Sequence, residues 1–104
     1  MFSTPANGLD SITDWKVGGA DILEIAGSAF GGLAANSAVT LTSGTDAASA
    51  TGLAANSFFF DNNGADLGTI YFDPTGGSGL DAVAIAKLQG VNALSLSISD
   101  FHVV

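Results

Sequence analysis

Apolar side chains recur at every second position in several short stretches of this chain. The plainest case is the end, where Leu94-Ser-Leu-Ser-Ile-Ser alternates large apolar with small polar residues before Asp100-Phe-His-Val-Val104. Period-two alternation marks a strand with one face in a core and one in water. Strands are therefore expected at Asp21 to Ile25, Val39 to Thr42, Ser57 to Asp61, Thr69 to Asp73, Ala82 to Leu88, and Leu94 to Ile98 running on to Val104. A closing apolar run of this kind is expected either to be tied into a sheet or to be kept for a partner to read. In the stretch from Ala82, the alternation puts Val83 and Ile85 on one face with Lys87, and Ala82, Ala84, Ala86 and Leu88 on the other.

Turn residues punctuate these runs. Phe58-Phe-Phe60 and Ile70-Tyr-Phe72 flank Asn62-Asn-Gly64, whose Asn-Gly step suits a tight connection, so the two runs are expected to form a hairpin. Asp73-Pro-Thr-Gly-Gly-Ser-Gly79 then turns the chain into the next strand, which makes a three-stranded meander. The Ala/Gly-rich stretch Ser28 to Asn36 has room for a helical turn, but Gly31-Gly32 argues against a long helix. With fourteen glycines and several short strands, the expected class is all-β. The expected form is a small antiparallel β-sandwich or jelly-roll-like domain of six to eight strands with at most a short helical turn. One internal repeat stands out: Gly32-Leu-Ala-Ala-Asn-Ser37 recurs as Gly52-Leu-Ala-Ala-Asn-Ser57, each before a strand. Two copies fall short of a solenoid and read as one turn chemistry used twice.

Size and charge narrow the partners. A chain of 104 residues reads as a single domain burying about two-thirds of its unfolded surface, enough for a core without a staple. It has no Cys, which excludes disulfides and thiolate metal sites. Two lysines and no arginine against ten carboxylates give a net charge of −8, which argues against nucleic acid and anionic membrane as partners and favours cations. No apolar stretch approaches the roughly 20 residues of a membrane helix, so no membrane insertion is expected. Residues Met1 to Gly8 carry neither the basic nor the apolar region of a signal peptide.

Near the start, Gly8-Leu-Asp10-Ser-Ile12-Thr matches the G-x-D-x-U-x half of the calcium-binding nonapeptide G-G-x-G-x-D-x-U-x, with U a large apolar residue. It leads into Asp14-Trp-Lys-Val-Gly-Gly-Ala-Asp21-Ile-Leu-Glu-Ile25, then Ala26-Gly-Ser-Ala-Phe-Gly-Gly-Leu33, Thr69-Ile-Tyr-Phe-Asp73 and the closing Asp-Phe-x-Val-Val. In this order the segments resemble the C-terminal region of repeats-in-toxin (RTX) proteins exported by type I secretion, with Trp15 where that family usually has Phe. The resemblance implies a non-catalytic C-terminal domain of a secreted protein, extracellular or at the cell surface. In it, residues 1 to 20 would leave a truncated RTX β-roll, and residues 21 to 104 would form the domain that caps the roll and ends in the secretion signal. Asp100, Phe101, His102, Val103 and Val104 would be that signal, read by the type I ABC-transporter complex, and the upstream RTX β-roll of the parent protein would be the second partner. Asp10, Asp14 and Asp21 would contribute calcium ligands, with weak binding in the absence of the upstream repeats, against a reading of the same residues as turn formers.

A second nonapeptide match, Gly76-Gly-Ser-Gly-Leu-Asp81-Ala-Val-Ala84, has no partner copy at roll spacing. It reads first as a turn between strands, with Asp73 and Asp81 as the secondary calcium candidates. Catalysis finds little support: the only His, His102, sits in an expected outer strand, and no nucleophile elbow, zinc-protease or phosphate-loop motif occurs. Lys16 and Lys87 read as solvated or snorkelling. The aromatic residues read as core. Were Trp15 or Tyr71 exposed, they would suit an adhesive β-sandwich binding sugar, ice or another subunit. A purely structural oligomerisation cap is the third alternative.

Overall fold

The computed structural model describes residues 10–13, 15–16, 21–47, 50–77, 81–90 and 93–104. Among the described residues strand dominates the regular structure, and the helical elements are single 3-10 turns. The described residues hold seven strands: β1 Asp10–Ile12, β2 Leu23–Ile25, β3 Leu41–Gly44, β4 Ser57–Asp61, β5 Thr69–Asp73, β6 Val83–Leu88 and β7 Phe101–Val103. Five make one sheet in the order β1-β6-β5-β4-β3, and β2 and β7 pair as a second, two-stranded sheet.

The centre of the large sheet is the expected meander. Phe58 faces Phe72, Phe59 faces Tyr71 and Phe60 faces Ile70 across an antiparallel β4/β5 pair. The connection is longer than a tight hairpin, because Asn63 accepts the Gly64 N–H at 2.8 Å and caps a 3-10 turn over Gly64–Asp66. The antiparallel expectation fails at the margins. β1 with β6, β3 with β4, and β2 with β7 all pair in parallel. Parallel neighbours need a crossover, and the one joining β3 to β4 lies over the face of the sheet that carries Phe59 and Tyr71. There Ala47, Leu53 and Phe59 bury together, with Ala50 and Tyr71 packed beside them.

The opposite face of the large sheet meets the small one in the principal core. Phe58, Phe60, Ile70 and Phe72 pack there with Leu23 and Ile25 of β2 and Phe101 and Val103 of β7. Phe30, from the turn after β2, stands edge-on to Phe72 with ring centroids 5.0 Å apart, a preferred aromatic geometry. Trp15, in the segment read as the roll exit, is buried in this same core.

Two period-two readings are corrected. In β6 the register shifts between Ile70 and Tyr71 of β5, which pair with Ala86 and Ala84, so Ile85 is an extra, bulged residue. A bulge flips every later side chain relative to strict alternation. Ile85 therefore buries with Ala86 and Leu88, while Val83, expected beside Ile85, is exposed. The second correction concerns Leu94 to Ile98, which is not a strand. It runs irregularly into a 3-10 turn at Ile98–Asp100, with Leu94 54% and Ile98 52% exposed. Its backbone is drawn into that turn by Asp100, whose carboxylate accepts the Ser97 N–H at 2.8 Å. This is local side-chain pairing of the kind that competes with sheet ladders.

The repeated hexapeptide folds the same way twice. Gly32 and Gly52 have φ of 77° and 69°, Asn36 and Asn56 of 64° and 55°. Ser37 and Ser57 each donate to the carbonyl three residues back, Ala34 and Ala54, at 2.6 Å. The two copies lead into the adjacent parallel strands β3 and β4.

Candidate functional site: the C-terminal strand and the aspartate turns

The residues expected to form an export signal are built into the fold. β7 lies parallel to β2, with Leu23 beside Phe101, Glu24 beside His102 and Ile25 beside Val103. Phe101 and Val103 point into the core, whereas His102 and Val104 are exposed. Both edges of the segment are bonded: Val104 N–H donates to Ile25 at 2.8 Å on one side, and the Asn36 N–H donates to the Val103 carbonyl at 2.8 Å on the other. The His102 ring lies between two acceptors on the surface, Asn36 Oδ1 at 3.0 Å from Nε2 and Glu24 Oε2 at 3.8 Å from Nδ1.

Asp100 anchors the strand. It is 6% exposed, and its carboxylate lies 3.0 Å from Lys16 Nζ besides accepting the Ser97 amide. Lys16 also donates to the Ser95 carbonyl at 2.8 Å, and its ammonium sits 5.5 Å from the Trp15 ring centroid. The lysine read as solvated or snorkelling is thus a cross-chain tie between the start of the chain and its end. Its backbone has φ of 58°, a region uncommon for residues other than Gly. The Lys16 amide donates to Asp21 Oδ2 at 2.7 Å and so holds this turn.

That bond gives Asp21, a calcium candidate, a turn-forming duty. Asp10 lies in β1 opposite Ala86, and Asp14 lies outside the described residues. Asp73 and Asp81 meet through one residue: Asp73 Oδ1 accepts the Thr75 N–H at 3.2 Å and the Gly76 N–H at 3.0 Å, and the Thr75 hydroxyl donates to Asp81 Oδ2. Asp73 is fully buried and its Oδ2 has no hydrogen-bond partner. Asp61, which the sequence did not single out, is also buried and accepts the Asn63 N–H at 3.1 Å. The signal was available at both, since each is an acid closing an aromatic strand before a Gly-containing turn. Among the described residues no three His, Asp or Glu side chains gather as a metal-binding group.

The aromatic residues take core positions, which removes Trp15 as a sugar platform because it is 1% exposed. Tyr71 is half-buried against Phe59, with ring centroids 6.5 Å apart. Its hydroxyl is pushed above the usual phenol pKa by desolvation first, then by the charges of Asp66, Asp61 and Asp46. A cleft of about 450 Å³ opens between the β3 edge and the irregular segment, lined by Leu41, Phe60, Leu94, Leu96 and the polar Ser43, Asn62 and Asn63. No described helix is long and apolar enough to cross a membrane. No family model, curated protein or solved structure matches the chain.

Proposed function

We propose that this chain is the non-catalytic C-terminal domain of an RTX-type secreted protein, whose last residues are the type I secretion signal and whose folded body caps a calcium-binding β-roll. The two unequal sheets are read as a lopsided β-sandwich serving that role. The observation carrying the proposal is the state of Asp100 to Val104 in the folded domain. Asp100 is paired to Lys16 within the protein, Phe101 and Val103 are core, and both edges of the strand are bonded. A groove that reads a strand through backbone bonds and alternate side-chain pockets needs those groups free. The exporter must then read the chain before it folds, and folding outside the cell hides the signal in the core.

Two further features fit this order of events. Among the described residues β1 is an edge strand running parallel to β6, a place that suits continuation by parallel turns of an upstream roll. A net charge of −8 on a 104-residue chain makes the carboxylates repel one another in the absence of calcium, while metal bound by the folded form alone favours folding where calcium is abundant. Asp10, Asp14 and Asp21, near the N-terminal end of the sequence, are the proposed ligands for such a metal.

The test is a fusion of this domain behind a slow-folding passenger in cells with a matching type I exporter. Passenger in the medium is expected with the intact domain, at undiminished level with His102→Leu, and at background level when Asp100 to Val104 are deleted. Undiminished export of the deleted form would refute the signal. The cleft at Leu41, Phe60, Leu94 and Leu96 favours one rival, a small adhesive module. That reading requires the isolated folded domain to retain a ligand and the fusion to stay in the cell.

A further inference from the structure

Leu94-Ser-Leu-Ser-Ile-Ser carries the alternation of a strand yet runs irregularly, and what holds it off a sheet is specific. Lys16 Nζ donates to the Ser95 carbonyl at 2.8 Å, and the Asp100 carboxylate accepts the Ser97 N–H at 2.8 Å. The two clamps are joined, because Lys16 and Asp100 lie 3.0 Å apart. In an extended segment, alternate residues turn their N–H and C=O groups to the same edge. The clamped groups of Ser95 and Ser97 are therefore ones with which this segment would form a ladder.

A sheet edge with the matching groups lies beside it. Among the described residues β3 ends the large sheet on the side opposite β1. The Phe58 N–H donates to the Thr40 carbonyl and the Asn62 N–H to the Gly44 carbonyl, each at 2.9 Å. The even-numbered residues of this segment thus serve β4, and Leu41 and Ser43 turn their backbone groups to the outer edge. The same two residues line one side of the cleft of about 450 Å³, and Leu94 and Leu96 line the other. Leu94 is 54% exposed there, so apolar surface is left to bury.

We infer that residues 94 to 97 form a strap with two resting places. One is the clamped position, which leaves the cleft open. In the other, Ser95 and Ser97 pair with Leu41 and Ser43, which adds a strand to the large sheet and carries Leu94 and Leu96 together into the cleft. An edge strand is a ready template for such pairing, and ladder bonds with burial of Leu94 favour it. Against it stand the bonds to Lys16 and Asp100, which are charge-assisted and roughly twice as strong as neutral ones. Lys16 is the positioning residue that sets the balance, and the strap is the gate of the cleft. Phe101–Val103 stays paired with β2 in both positions, so the inference stands apart from the export reading.

Amide hydrogen exchange of the whole chain, read residue by residue by NMR, tests it. Lys16→Met keeps most of the stem beside Trp15 and removes the ammonium, which should raise the ratio of paired to clamped strap by roughly 10- to 100-fold. Exchange at the Leu41 and Ser43 amides should slow accordingly. Adding Ser95→Pro, which takes away a ladder donor, should return both amides to their wild-type rates. Should Lys16→Met fail to fold, relaxation dispersion of the wild type decides, with one shared microsecond-to-millisecond process expected at Leu41, Ser43, Ser95 and Ser97. Unchanged exchange at Leu41 and Ser43 in folded Lys16→Met would overturn the inference. So would slowing that survives Ser95→Pro, or, where the variant does not fold, the lack of a shared process in the wild type.

Discussion

Trp15 is buried to 1% of its surface, and its indole nitrogen finds no acceptor. An unpaired buried N–H costs about 1–3 kcal/mol, and the RTX pattern that this segment resembles has Phe here. Trp15→Phe should therefore leave stability within about 1 kcal/mol of wild type, whereas Trp15→Ala should lose about 3–5 kcal/mol. Urea unfolding of both variants checks this, and a Phe variant as weak as the Ala variant would contradict it. Tyr71 makes a different prediction. Its folded pKa lies above the unfolded value because burial and three nearby carboxylates disfavour the phenolate. Below pH about 10 both states hold the proton and the group adds no pH dependence. Above that the unfolded state loses its proton first, so stability falls as pH rises toward the folded pKa. Tyr71→Phe should flatten that alkaline decline, and an identical slope in both proteins, measured by denaturant midpoints between pH 9 and 11, would contradict the assignment. In sequence both Trp15 and Tyr71 read first as core, with an exposed platform as the lesser alternative, and the structure encloses Trp15 but only half buries Tyr71. What separates them is the crossover, which half covers one, and the core between the sheets, which encloses the other.

Among the elements, the aromatic strands were the most legible. β4 and β5 occupy the expected residues because Ser57–Asp61 and Thr69–Asp73 join strong strand formers to turn residues on both sides. β6 was found but its faces were misassigned, since the bulge at Ile85 arises from pairing with β5 and leaves no mark in the local pattern. β1 was missed altogether. Asp-Ser-Ile is three residues with no alternation, and it becomes a strand only through β6. The opposite error, Leu94 to Ile98, shows a perfect alternation defeated by a competing local motif. Asp100 draws the Ser97 amide into a turn and Lys16 holds that carboxylate in place. The alternating pattern was still informative one step later, because Phe101 and Val103 do alternate inward across β7.

At the scale of the whole molecule, the parallel pairs account for most of what the sequence withheld. Glycine-rich turns and short strands point to antiparallel neighbours, yet β3/β4, β1/β6 and β2/β7 join segments through pairings that only the completed chain can make. The β2/β7 pair is the consequential one, since it ties Phe101–Val103 to Leu23–Ile25, far away in sequence. Under the proposed function, a signal placed there is legible only while that pair is unformed. The measurement that bears most directly on this account is export of the passenger fusion carrying Phe72→Ala, a buried core position remote in sequence from the end. The substitution should cost about 3–5 kcal/mol and leave the domain largely unfolded, which circular dichroism of the purified variant would establish. The account predicts wild-type amounts of passenger in the medium, because Asp100 to Val104 are intact and need no folded partner to be read. Retention of the Phe72→Ala fusion inside the cell, at matched expression, would mean that the exporter reads the folded domain and would contradict it.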